Sequence, residues 1–216
     1  PEEFIQNHCF RGHFGMTFFN LFERPLDHFI TILRDPVEQF CSDCHFQKNR
    51  FDQGLFEQWR LNKWTKVFEK ENYFNHYVQE RLQKNSLSPI LRNLGLQVSK
   101  DITSKIDYHK EVKSIQQGTD RDTLFHEAKS NLSKMTTIMF LEDIEASTIR
   151  LCKDLNISPQ ASFPTLNKGH VSNQKHKTYK EKLNKEHSER IEEYLKYDIK
   201  LYQFAHELVY GNQQNL

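Results

Sequence analysis

The 216 residues are of single-domain length, since a typical domain takes roughly 150, and 17 Phe, 8 Tyr and 2 Trp are available to build a core. No apolar run approaches the roughly 18 to 20 residues that span a bilayer, so a membrane span within these residues is excluded. Thirty basic against 29 acidic side chains leave a net charge of +1, which excludes a wholesale polyanion binder and makes any anion site local.

The chain opens on Pro1 without an initiator Met and reads as amino-terminally truncated, so it carries no information about a targeting segment. Residues 29–33 form a short β-rich run with no polar alternation beyond Thr31, which predicts a parallel strand covered on both faces. It stops at Arg34-Asp35-Pro36. Asp35 suits an N-cap, Pro36 the first helical position and Glu38 the third, so a helix with a capping box is expected here. Cys41 and Cys44 lie on it as the chain's one C-x-x-C pair; without a second pair they read as small apolar side chains one turn apart. Residues 55–82 space their aromatic and aliphatic side chains helically, with an interruption at Glu71-Asn72.

Residues 86–118 are punctuated by Ser, Gly, Pro, Lys and Asp and predict loops with at most one short element. Residues 123–132 read as helix, 136–141 as a second buried strand, and 142–155 as the helix after it. A strand-helix unit therefore occurs twice, which argues for an α/β sheet within one domain over residues 1–216. Residues 156–182 read as a loop, basic toward its end with Lys168, His170, Lys175 and His176. Tyr179 is the lone interleaved aromatic there, so nucleic acid is not the expected partner. Residues 184–209 carry an apolar stripe that Asp198 interrupts, and Asp198 reads as an N-cap dividing two helices rather than as a catalytic acid.

An Arg at the carboxyl end of a parallel strand, followed by a helix start, stands where α/β proteins hold anions. Taken alone, Arg34 reads either as a phosphate ligand or as half of a structural ion pair. Ser42 lies two turns along the next helix, on the face that carries Asp35 and Glu38.

Leu33-Arg34-Asp35-Pro36-Val37-Glu38-Gln39-Phe40-Cys41-Ser42 resembles the Arg-Asp-Pro-to-Ser element of carbohydrate sulfotransferases, in the branch of heparan sulfate and uronyl 2-O-sulfotransferases. Arg11-Gly12-His13-Phe14, Asn72-Tyr73-Phe74-Asn75, Ala128-Lys129-Ser130-Asn131-Leu132 followed by residues 138–142, and residues 198–205 are similar to further family elements in the family's order. The resemblance implies a P-loop-like sulfotransferase fold, with a small central parallel sheet and extensive helices. The implied reaction is sulfuryl transfer from 3'-phosphoadenosine 5'-phosphosulfate to a carbohydrate hydroxyl, without a metal. By matching position, Arg34 and Ser42 would bind the donor's 3'-phosphate, Lys168, His170 and Ser172 would close over the donor, and His13 would be the acceptor's general base.

Gln39 stands where the family has Arg, and Met139 and Leu141 where it often has Gly and Thr. The family's phosphosulfate-binding strand, loop and helix have no match in residues 1–33, which is the second reason to expect a truncated chain. The competing readings are a non-catalytic relative that binds the nucleotide or an anionic glycan, and an unrelated nucleotide-kinase-like protein. Animal relatives are Golgi type II membrane proteins and bacterial ones can be cytoplasmic, so the resemblance leaves the compartment open.

Overall fold

The computed structural model describes residues 28–83, 87–96, 114, 120–158 and 183–211. Two short strands, β1 (Ile30–Leu33) and β2 (Thr137–Phe140), pair in parallel, with Ile30 opposite Thr137 and Leu33 opposite Phe140. A parallel pair needs a long crossover. Among the described residues, the helices along it are α1 (Pro36–Asp52), α2 (Gln58–Phe68), α3 (Tyr73–Gln83) and α4 (Pro89–Gly95), followed by α5 (Arg121–Ser133) leading into β2. After β2 come a 3-10 turn (Leu141–Asp143), α6 (Ile144–Asp154), α7 (Lys185–Tyr194) and α8 (Lys196–Tyr210). The described chain is thus mostly helical around a two-stranded parallel sheet. Among the described residues no helix is long and apolar enough to cross a membrane.

Two apolar clusters organise the helices. Leu33, Ile138 and Phe140 from the strands pack with Leu91 and Leu94 of α4, Leu132 of α5 and Leu201 of α8. The second cluster joins Val37, Phe40 and Cys44 of α1 to Trp64 and Phe68 of α2, Tyr77 of α3 and Ile191 of α7. Its rings meet closely, Trp64 lying 5.5 Å from Tyr77 and 5.4 Å from Phe68 in stacked arrangements. Cys41 and Cys44 are both buried in this cluster as free thiols, one turn apart as expected. Burial pushes the Cys41 thiol up to about 12, with Glu38 and Asp35 adding to the shift and Arg34 opposing it. Nearby, Asp43 accepts hydrogen bonds from Tyr77 Oη at 2.5 Å and Arg81 at 2.6 Å, which ties α1 to α3. Burial alone would raise the Asp43 pKa, but these bonds, that of Gln47 and the Arg81 charge bring it below its ordinary value.

Three expectations need correction. The first strand is covered on one face only: Leu33 is buried, whereas Ile30 is 43% and Ile32 59% exposed. Side chains alternate along a strand, so Thr31 and Leu33 face the helices while the two isoleucines face away. Only β2 is buried along its whole length.

The second correction concerns Asp198. The α7–α8 boundary falls at Leu195, and Asp198 sits inside the first turn of α8 with its carboxylate turned toward α4. It accepts hydrogen bonds from Ser88 Oγ and from the backbone N–H groups of Ile90 (3.0 Å) and Leu91 (2.9 Å). Asp198 therefore caps a helix remote in sequence. At the other end of α4, Asn131 Nδ2 donates to the Leu94 carbonyl at 2.7 Å, so both termini of this seven-residue helix are closed by side chains from its neighbours.

The third correction is at the start of α1. Asp35 is the N-cap, its Oδ1 accepting from Val37 N at 2.9 Å and Glu38 N at 3.0 Å, with Pro36 at the first position. The reciprocal half of the capping box is supplied from elsewhere: Asp35 N–H donates to Glu142 Oε1 at 2.7 Å rather than to Glu38. Glu142 prevails because the strand register brings the residue two past Phe140 level with the residue two past Leu33.

Candidate functional site

Both strands end at one level, so the segments after them, Arg34-Asp35 and Leu141-Glu142-Asp143, meet at the carboxyl edge of the sheet. Each runs directly into a helix. At such an edge a helix amino terminus directs a partial positive charge outward, although in α1 the N–H groups of Val37 and Glu38 are already taken by the Asp35 side chain.

Arg34 is the cation placed there by β1. Its side chain is 30% exposed, and its Nη2 stands 4.0 Å from Glu38 Oε2, beyond hydrogen-bond length. Arg34 makes no hydrogen bond among the described residues, so the ion pair expected as the alternative exists only as a loose i,i+4 contact. Ser42 is half-buried, one turn past Glu38 on the same face of α1, and its hydroxyl is likewise without a hydrogen bond among the described residues. The contact of Arg34 with Glu38, and the one-turn step from Glu38 to Ser42, put both residues on the Glu38 side of α1. His13, Lys168, His170 and Ser172 lie outside the described residues, as does the basic stretch before Leu183.

The edge also holds groups that local sequence patterns did not single out. Glu142 bridges two helices, accepting from Asp35 N–H with Oε1 and from Tyr202 Oη at 3.0 Å with Oε2. Tyr210 Oη donates to Asp143 Oδ2 at 2.8 Å and accepts from Arg150 Nη2 at 3.2 Å. Arg150 Nη2 also donates to Ser147 Oγ at 2.8 Å, and Ser147 Oγ in turn accepts from Phe140 N–H at 2.9 Å. Burial, aided by Glu142, raises the Tyr202 phenol well above its ordinary pKa, so it remains a proton donor to Glu142. The legible signal for this cluster was the four-residue spacing of Tyr202, His206 and Tyr210, which puts all three on one face of a helix.

Several residues that carried the family resemblance prove to be architectural. Ala128, Leu132 and Ala205 are fully buried, Asn131 closes the end of α4, and Asp198 closes its start. Tyr73 Oη and His45 Nδ1 lie 3.0 Å apart, joining α3 to α1. A separate cleft of about 300 Å³ opens at the amino-terminal end of β2, lined among others by Thr137, Arg150, Asp154 and Leu208, and neither Arg34 nor Ser42 lines it. No family model, no curated protein and no solved structure matches this chain.

Proposed function

We propose that the carboxyl edge of the strand pair binds the 3'-phosphate of 3'-phosphoadenosine 5'-phosphosulfate, and that the protein belongs to the carbohydrate sulfotransferases and adopts their P-loop-like fold. The observation that carries this reading is Arg34 at the end of a parallel strand, beside the amino terminus of a 17-residue helix and held, among the described residues, only by a 4.0 Å contact with Glu38. A guanidinium in that position offers paired donors to a phosphate, and Ser42 Oγ adds a neutral donor from the same face. Asp35, Glu38 and Glu142 stand close by, so phosphate selection rests on the directed hydrogen bonds of Arg34 rather than on a positive field.

In this reading the sulfur–oxygen bond to the donor phosphate breaks as a new one forms to the sugar oxygen. The acceptor's hydroxyl proton passes to the imidazole of His13, and adenosine 3',5'-bisphosphate leaves. Lys168, His170 and Ser172 close over the donor.

Calorimetric titration with adenosine 3',5'-bisphosphate and with adenosine 5'-monophosphate tests the reading. Preference for the bisphosphate that disappears in Arg34→Ala supports it. Equal affinity for both nucleotides in the wild type would refute it. Bisphosphate binding without sulfuryl transfer to any glycan would favour the non-catalytic relative.

A further inference from the structure

Tyr202, His206 and Tyr210 follow one another at four-residue spacing along α8, and all three pack on Phe140, the last residue of β2. His206 takes the centre. Its ring centroid lies 3.9 Å from that of Phe140 in a stacked arrangement, 4.7 Å from Tyr202 and 5.3 Å from Tyr210. Its Nε2 is buried and has no hydrogen-bond partner among the described residues. A neutral imidazole can occupy such a place as an aromatic plate, whereas an imidazolium would bury an N–H without an acceptor.

The charged groups around the ring come from two other segments. Glu142 and Asp143 face it from the 3-10 turn, and Arg150 faces it from α6. The carboxylates are already engaged, Glu142 by Asp35 N–H and Tyr202, Asp143 by Tyr210. Arg150 lies over the Tyr210 ring at 5.0 Å and would repel a second cation. Nothing in this arrangement receives a proton on Nε2 where the ring stands.

We infer that His206 is an acid-sensitive latch: neutral, it seats α8 on the end of β2; protonated, it unseats α8 and, through the chain Tyr202–Glu142–Asp35, loosens the amino terminus of α1. Burial holds the imidazole below its ordinary pKa, Arg150 acting in the same direction and Glu142 and Asp143 against it. A group depressed in the folded state contributes stability that is complete above its unfolded value and is lost as pH falls through the folded value. The latch therefore holds at neutral pH and releases as pH falls below the ordinary imidazole range. This inference does not depend on what the strand edge binds.

Thermal unfolding of wild type, His206→Phe and His206→Gln at about pH 7.5 and about pH 5 tests it. Phe keeps the stack on Phe140 and cannot ionise; Gln removes both ring and charge. The wild-type midpoint should drop on acidification by at least about 2 °C more than that of either variant. Hydrogen exchange, corrected for intrinsic rates, should show the protection of α8 falling on acidification more steeply in the wild type than in His206→Phe, in which Asp198 is unchanged. Parallel pH profiles for the three proteins, or the same pH dependence of α8 protection in wild type and His206→Phe, would overturn the latch.

Discussion

Asp198 and Ser88 stand 110 residues apart in sequence and together close the amino terminus of α4, the Ser88 hydroxyl and the N–H groups of Ile90 and Leu91 all donating to one carboxylate. Burial pushes the pKa of that carboxylate up to about 6, against the pull of the three bonds and of Arg92. Asp198→Ala leaves three buried donors unpaired and should cost about 2 to 4 kcal/mol in denaturant unfolding.

The sign of the pH effect follows from the raised pKa. The unfolded carboxylate titrates near 3.9, so the contribution of Asp198 is complete below that value and is lost as pH rises through about 6. Relative to Asp198→Asn, whose amide never ionises, the wild type should lose about 2 to 3 kcal/mol of stability between pH 4 and pH 7. Urea unfolding of both proteins across that range checks it, and parallel curves would place the carboxylate at its ordinary pKa.

At the strand edge, Arg34→Ala should weaken adenosine 3',5'-bisphosphate binding by about 1.5 to 3 kcal/mol, and Ser42→Ala by about 0.5 to 1.5. Arg34→Lys should recover only part of the loss, because an ammonium cannot make the paired contact. Affinity for adenosine 5'-monophosphate should barely change in any of the three. Loss of both affinities together would assign Arg34 to the fold.

Gly95 ends α4 against the backbone of α5, and a Cβ there would stand 2.4 Å from the Leu124 carbonyl oxygen. An Ala in a helix normally gains up to about 1 kcal/mol over Gly. Here Gly95→Ala should instead destabilise by about 1 to 3 kcal/mol, since a backbone atom cannot give way as a side chain does. Thermal melts of the two proteins decide between propensity and packing.

Cys44 is fully buried on α1 and its thiol is pushed well up by burial. Cys44→Ser should cost more stability than Cys44→Ala, although Ser is closer in shape, because its hydroxyl enters an apolar cluster. The native thiols of Cys41 and Cys44 should resist alkylation at neutral pH until the chain unfolds. Mass spectrometry after iodoacetamide treatment, with and without denaturant, reads this directly.

Much of the element order was legible because its signals are local. Asp35 and Pro36 start a helix through bonds that reach two or three residues, and the spacing of Phe56, Trp64, Val67 and Phe68 describes a face that any partner can cover. The break at Glu71-Asn72 and the two strand-helix units follow from the same short-range rules. At the candidate site, the placement of Arg34 after β1 and of Ser42 two turns along α1 was likewise legible, since both depend only on where one strand ends and one helix begins.

Tertiary structure alone decided the partners. That Glu142 takes the Asp35 N–H, that Asp198 serves α4 instead of its own helix, and that His206 rests on Phe140 all depend on which elements become neighbours. The exposure of Ile30 and Ile32 has the same origin, because an apolar run specifies that a strand forms but not how many of its faces the helices cover. Hydrogen bonds within a turn are set by chain geometry, whereas a carboxylate or an aromatic ring settles against whichever group the assembled core brings within a few ångströms.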